Sequence, residues 1–356
     1  MSRLKMNQTT NRWPLAIDLF AGCGGLTLGL KRAHFKVVGA IEIDDLAVET
    51  YRLNHPTVQR MWNKDIREVS GADVLSTLGL QRGELDLLAG CPPCQGFSSM
   101  TTLNGSRKVD DPRNDLVHEY SRMVKEILPR ALLLENVPGL VANPLMDMLM
   151  EDLETLGFNV RESWKVLDAA HYGVPQRRRR LVMMSVRDGE INFAPPVAEL
   201  MTVREAIGKL GRAGNSGDPL HDLTENRTLR IQKLIRAIPK DGGSRSSLGK
   251  ENQLKCHQKS DGFKDVYGRM SWDKPAPTIT SGCQSPSKGR FIHPSEDRTI
   301  SLREAAILQG FPKNYRFSMK NGKLAAARMI GNAVPPAFVS VQASQLRSAI
   351  AKSKSK

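Results

Sequence analysis

Ala16-Ile17-Asp18-Leu19-Phe20-Ala21-Gly22-Cys23-Gly24-Gly25-Leu26 is the stretch on which the fold turns. An apolar run of strand length over residues 16–20 passes into a glycine-rich turn, and apolar residues at helical spacing follow over residues 26–33. Such a turn lets the backbone approach a ligand closely and points helix N-terminal amides at an anionic group. The next apolar run, residues 37–43, carries an acid, Glu42, twenty residues after Gly22. A carboxylate there can bind the two hydroxyls of a ribose, so a nucleoside-containing cofactor fits. A nicotinamide dinucleotide fits less well, because that fingerprint asks for a third glycine where Thr27 stands. By itself the turn also describes a purely structural tight bend.

Outward from this unit the pattern continues. Short apolar runs at residues 85–89, 131–134 and 181–186 alternate with amphipathic stretches at 44–54, 116–128 and 146–156. This predicts an α/β domain, doubly wound on a largely parallel sheet, over residues 1–190. Beyond it, Pro195 and Pro196 open a region rich in Gly, Ser, Lys and Arg with weak periodicity, which predicts a second, irregular domain over residues 191–327. A helical pattern returns from Leu302, and residues 334–351 read as a long closing helix. Residues 328–356 are therefore assigned back to the first domain, and the smaller domain becomes an insertion.

The chain of 356 residues is 40% hydrophobic, enough to bury a full core, and carries a formal net charge of +15. That balance favours an acidic polymer as partner, nucleic acid first, through phosphate neutralisation and counterion release. Five cysteines at irregular spacing, Cys23, Cys91, Cys94, Cys256 and Cys283, argue against a disulfide framework and for a reducing compartment. The opening residues lack the apolar core of a leader, and no run approaches the roughly 20 apolar residues of a membrane span. A cytoplasmic protein without membrane attachment is the expectation, ending in a short basic tail.

A second motif, Gly90-Cys91-Pro92-Pro93-Cys94-Gln95-Gly96-Phe97-Ser98, follows the run at 85–89. Its C-x-x-C spacing admits a redox dithiol, half of a zinc site, or a single nucleophilic cysteine in a stiff loop. Zinc asks for a second ligand pair, and Cys256 with His257 lacks the usual gap, so no metal is expected. A redox dithiol has no use for the nucleoside turn upstream.

This loop, followed by Leu132-Leu133-Leu134-Glu135-Asn136-Val137-Pro138-Gly139-Leu140, resembles the catalytic core of DNA (cytosine-5)-methyltransferases of the bacterial restriction-modification type. Further similar pieces follow in that family's order: Gln176-Arg177-Arg178-Arg179-Arg180, then Leu302 to Pro312, then Gly331-Asn332-Ala333-Val334-Pro335-Pro336. The resemblance implies S-adenosylmethionine as cofactor, double-stranded DNA as partner, a monomeric enzyme and a possible companion endonuclease. It implies that Cys94 adds to C6 of the target cytosine and makes C5 nucleophilic, as thiolate catalysis requires. Glu135 would face N3 and the exocyclic amine; the apolar run before it suggests burial, which favours the proton-donating form. Arg178 and Arg180 would orient the base and support the thiolate, while Arg177 and Arg179 would meet phosphate or solvent.

For the cofactor, the resemblance implies Phe20 against the adenine, Gly22 and Gly24 in the turn, Glu42 on the ribose and Asp65 on the adenine amine. Pro93, Asn332 and Val334 would complete that site. A base inside a duplex must be extruded to meet a thiolate. The polar segment 98–114 would close on DNA, with Gln95, Ser98, Thr278 and Thr280 as DNA contacts. Lys233, Arg236, Lys240, Arg245, Lys250, Lys255 and Lys264 supply charge to the insertion, mostly for the backbone. Two other classes stay open at this point: a silent DNA-binding homologue, opposed by the intact Cys94 and Glu135, and a tRNA methyltransferase, whose Cys-Phe-Thr sequence is absent.

Overall fold

The computed structural model describes residues 12–93, 115–187, 189–223, 225–249, 253–254 and 265–353. Seven strands form one sheet: β1 (Leu15–Leu19), β2 (Lys36–Glu42), β3 (Arg60–Asn63), β4 (Leu87–Gly90), β5 (Ala131–Asn136), β6 (Trp164–Asp168) and β7 (Arg179–Val186). Their order is β3-β2-β1-β4-β5-β7-β6, parallel except for β7, which runs against both neighbours. Chain direction across the sheet reverses between β1 and β4. A crevice outside the carboxyl ends of the strands is the general consequence of such a switch.

Alternate strand residues feed opposite cores, as the two-residue period of a strand requires. Ile17, Leu19, Leu88, Leu132 and Leu134 pack on one face with α3 (Gly71–Leu78), α4 (Asp115–Ile127) and α5 (Pro144–Thr155). Ala16, Leu87, Ala89, Ala131 and Leu133 pack on the other with α1 (Gly25–Arg32) and the closing helix. Local chemistry sets the helix starts. Asp44 accepts the amides of Leu46 and Ala47 to begin α2 (Asp45–Asn54), and Asn143 caps α5 with Pro144 in its first turn.

The strands and helices expected in the first half form within a few residues of their expected bounds, with β5 two residues longer. Three elements lack a sequence signal: β3 and β6 are short, half-exposed edge strands without an apolar run, and α3 is a two-turn helix.

After the sheet, α6 (Val203–Ile207), α7 (Leu229–Ala237), α8 (Leu302–Leu308) and α9 (Gly322–Asn332) are joined by irregular chain. Apolar contacts alone do not hold this part together. Arg269, fully buried, donates to the carbonyls of Ile235, Ile238, His293 and Glu296 and pairs with Asp297. A guanidinium with that many acceptors organises a loop-rich core as a hydrophobic run would organise a helix pair. Another core joins Val203, Ile207, Leu302, Leu308, Ala326 and Ile330 to Cys23, Leu46 and Ala47 of the sheet side. The last helix, α10 (Pro336–Ser353), buries Phe338, Val339, Ala343, Leu346 and Ile350 against the sheet and α1. By length and composition residues 322–353 pass as a candidate membrane span, but the chain breaks between α9 and α10 there, and the apolar side chains of α10 named above are buried in the core.

Candidate active site

The glycine turn leaves β1 with three left-handed residues at alternate positions: Phe20 at φ 58°, Gly22 at 52° and Gly24 at 94°. Gly22 borders open space, and a Cβ there would meet nothing within 4 Å; at Gly24 it would strike the His55 ring. A non-glycine residue such as Phe20 in this region stores strain, a feature that clusters at ligand sites. Its ring stays partly buried on the sheet core.

Glu42 ends β2 beside this turn. Its Oε2 accepts the Gly22 amide at 2.8 Å, and its Oε1 accepts the amides of Ile43 at 2.9 Å and Asp44 at 2.8 Å. Burial pushes its pKa up against the pull of these amides. Ile43 next to it is left 60% exposed, an apolar surface that sequence reading did not single out. Asp65 caps a short 3-10 turn, and both its oxygens are engaged by Arg67. On the far side, the Val334 carbonyl presses on Gly25 so closely that a Cβ would collide with it. Val334 is buried, and Asn332, the last residue of α9, is exposed.

The second loop leaves β4. Gly90 pairs with Leu134, so the parallel register carries Cys91 alongside Glu135 and Pro92 alongside Asn136. The Asn136 side-chain nitrogen donates to the Pro92 carbonyl at 3.1 Å, and the Cys91 amide donates to Leu19 at 3.3 Å. These two bonds tether the loop start to β5 and β1. Pro92 is buried and Pro93 half-buried; Cys94, Gln95, Ser98 and the expected closing segment lie outside the described residues, as do Lys250, Lys255 and Lys264.

Glu135 is 8% exposed, and its Oε1 lies 3.0 Å from Arg180 Nε. The N–H is not aligned on that oxygen, so the pair is a charge contact and Oε1 has no hydrogen-bond partner among the described residues. The Cys91 thiol also faces this carboxylate; burial first, then the charge of Glu135, holds the thiol well above its usual range. The family resemblance gives a role to Cys94 and none to Cys91. Its thiol stays protonated and can only donate to Glu135.

Arg178 has a different setting from Arg180. It is buried, and its two terminal nitrogens donate to the carbonyls of Ile279 at 3.0 Å, Gly331 at 3.1 Å and Ala333 at 3.2 Å. Burial and the neighbouring Arg180 cation pull its pKa down to about 9, which still leaves it charged near neutrality. Its Nε is buried without a hydrogen-bond partner among the described residues. Gln176 and Gln309 extend this seam: Gln176 donates to Leu308 and Gln309 and accepts from the Ile279 amide, and Gln309 donates to Ala333. Thr278 donates to the Arg177 carbonyl at 2.7 Å, and the Thr280 backbone lies against Gly331. Arg177 pairs with Asp168 at 3.0 Å, and Arg179 is exposed.

One further acid escaped sequence reading. Asp18, fully buried on β1, accepts from Thr27 at 2.6 Å, and Thr27 bonds Tyr51 at 2.8 Å. Its other oxygen has no hydrogen-bond partner among the described residues, and burial pushes its pKa up to about 7. An acid inside an apolar strand run was the available signal.

A seven-stranded sheet of this order, with loops converging at the β1/β4 switch, is the fold of S-adenosylmethionine-dependent methyltransferases. The model of the C-5 cytosine-specific DNA methylase family matches residues 15–348, and the chain belongs to that family. It is thereby a DNA (cytosine-5)-methyltransferase. The chain is 36% identical over 346 residues to the Type II methylase M.HgiDII of Herpetosiphon aurantiacus, covering 93% of this chain and 94% of that one. It is 35% identical over 328 residues to the Type II methyltransferase M1.HphI of Haemophilus parahaemolyticus, covering 90% and 83%. Among solved structures, a protein described as a DNA modification methyltransferase encoded within a prophage of E. coli superposes with a TM-score of 0.69 at 27% identity, over 95% of this chain and 99% of that one. The Dnmt2 methyltransferase of S. pombe, at 20% identity, TM-score 0.60 and coverage of 94% and 98%, shares the fold.

Proposed function

We propose that the protein transfers a methyl group from S-adenosylmethionine to C5 of a cytosine extruded from duplex DNA, through a covalent bond between Cys94 and C6. The observation that carries this reading is the convergence at the β1/β4 switch. The glycine turn leaves the carboxyl end of β1, Cys91 to Pro93 leave that of β4, and the Glu135–Arg180 pair lies at that of β5, three adjacent strands.

The turn fits the cofactor. Open space borders Gly22, Ile43 offers an uncovered apolar face to a nucleobase, and Glu42 Oε2, which accepts only the Gly22 amide, can accept a ribose hydroxyl as well. Asn332, Val334 and Pro93 line the remaining approach in this reading. Asp65 reaches the adenine amine only if it shares its carboxylate with Arg67. When bound, the cofactor supplies an electrophilic methyl on a sulfonium.

The chain's own groups do the rest. The Cys94 thiolate bonds to C6 while Glu135 gives a proton to N3, so the displaced electrons make C5 an enamine carbon able to take the methyl. The N3 proton then returns to Glu135, and loss of the C5 proton to water breaks the Sγ–C6 bond, restoring the C5–C6 double bond and freeing the thiolate. Arg180 holds the Glu135 carboxyl in place. Arg178, tied to three carbonyls, acts by fixing the seam that brings the closing segment to the site, with only Nε left to face a reactant.

In this reading residues 1–190 and 328–356 form the catalytic domain, and residues 191–327 form the target-recognition domain. Thr278, Thr280, Gln95 and Ser98 contact DNA. The relatives' naming as Type II enzymes supports a restriction-modification role beside a companion endonuclease, for a monomer acting on DNA in the cytoplasm. The test is covalent trapping. With cofactor and duplexes carrying 5-fluorocytosine, C5 has no proton to lose, so a denaturation-resistant complex should accumulate and be absent in Cys94→Ser. Methylation of ordinary DNA without this adduct would overturn the mechanism.

A further inference from the structure

Behind the glycine turn lies a polar cluster that none of the steps above uses. His55, the residue after α2, is 3% exposed; its Nε2 lies 3.1 Å from the Gly24 carbonyl and 3.0 Å from the Tyr315 hydroxyl. Tyr315, also 3% exposed, donates that hydroxyl to the Cys23 carbonyl at 2.6 Å. Both carbonyls of the turn are thus held from the rear by side chains 31 and 292 residues away. On the other edge of the ring, Lys31 Nζ lies 3.5 Å from Nδ1 and can only donate. The proton therefore belongs on Nε2, aimed at Gly24. Burial, reinforced by Lys31, pulls the His55 pKa down to about 3, so the ring is neutral throughout the working pH range.

The same surface of α2 is zipped to the chain around Tyr315. Asn54 exchanges two hydrogen bonds with the Arg316 backbone, at 2.8 and 3.0 Å, and the Ser318 amide donates to Thr50 at 2.9 Å. Arg303 of α8 donates to the Tyr315 carbonyl at 2.8 Å. Tyr315 cannot drift from the turn without breaking these bonds.

We infer that His55 and Tyr315 are positioning residues for cofactor binding: they brace the Cys23 and Gly24 carbonyls, and with them the left-handed Gly24, in the conformation that receives the nucleoside. This rests on the reading of the glycine turn as the cofactor site. Without the brace the turn relaxes among conformers, and the cofactor bears the cost of reordering it, which lowers affinity and leaves chemistry in the loaded complex intact.

The experiment compares Tyr315→Phe, His55→Ala, His55→Gln and Glu42→Ala with the parent by calorimetric titration of S-adenosylmethionine and by steady-state kinetics on DNA. Tyr315→Phe keeps the ring packed on Phe311 and Phe317 and removes only the hydroxyl. It should raise the cofactor Kd and KM by about 3- to 10-fold, the range for one lost buried hydrogen bond. At saturating cofactor, kcat and the KM for DNA should stay within about twofold. His55→Ala should weaken cofactor binding similarly, and His55→Gln, which restores a donor near the Nε2 position, should recover most of it. A folded Tyr315→Phe with parental cofactor affinity, or equal affinities in His55→Ala and His55→Gln, overturns the brace. Should Tyr315→Phe fail to fold, the His55 pair decides alone; loss of fold in that pair too would assign the cluster to stability and overturn the inference. If Glu42→Ala also leaves cofactor affinity unchanged, the cofactor site itself is misplaced; if Glu42→Ala weakens it and the brace variants do not, only the brace is wrong.

Discussion

Glu135 sits beside the Arg180 cation, yet the one N–H within 3.0 Å of its Oε1 is not aimed at it. A buried oxygen left without an aligned donor is costly unless a ligand completes it. In the proposed function, a cytosine edge offering N3 and an amine would do that. Glu135→Gln keeps the shape and removes the acid, so methyl transfer should slow by roughly 10² or more in single-turnover measurements. An unchanged rate would remove Glu135 from the chemistry. Cys91, whose thiol faces the same carboxylate, needs only a donor there. Cys91→Ser keeps one, and its turnover should remain within several-fold of the parent; loss of activity together with bound zinc would instead revive a metal site.

At the scale of elements, the contact between β1 and α1 carries an ionisable group in a dry place. Asp18 is fully buried, bonded to Thr27 and, among the described residues, unpartnered at its second oxygen, with Glu42 on β2 adding negative charge nearby. Its folded pKa, near 7, lies above the unfolded value of 3.8. Between those values the folded protein binds the proton that the unfolded chain has lost, so this group's contribution to stability falls as pH rises from about 4 to about 7. Asp18→Asn removes that titration. The difference in melting temperature between parent and variant should therefore shift in the variant's favour across that window, and a difference independent of pH would show that Asp18 is ionised throughout.

For the whole molecule, the net charge of +15 has no counterpart in a site chemistry and belongs to the encounter with DNA. Exposed Arg179 on β7 and the exposed Arg230, Lys233 and Arg236 on α7 are available to phosphates, Arg236 only loosely paired with Asp297 at 3.9 Å. Binding to an unrelated duplex should weaken steeply with salt, with a log–log slope of about −3.6 or steeper, corresponding to about four or more neutralised phosphates. A shallow slope measured by fluorescence anisotropy would mean that the excess charge serves something else.

The sequence by itself determined the strand-turn-helix unit at residues 16–33 and the alternation that builds a doubly wound sheet. These are local: a strand period, a glycine turn and an acid after an apolar run are legible within a dozen residues. It also placed Arg178 beside Arg180 as an equal partner, since residues two apart share a face along a strand and nothing local distinguishes their settings. Only the tertiary structure separated them, sending Arg180 to Glu135 and Arg178 to three carbonyls of the closing segments. The same holds for Cys91 against Glu135, for Gln176 with Gln309, and for Tyr315 behind Gly24. Each depends on strand register or on chain segments over 100 residues apart in the last two cases, and no local pattern records which distant carbonyl a buried donor will satisfy.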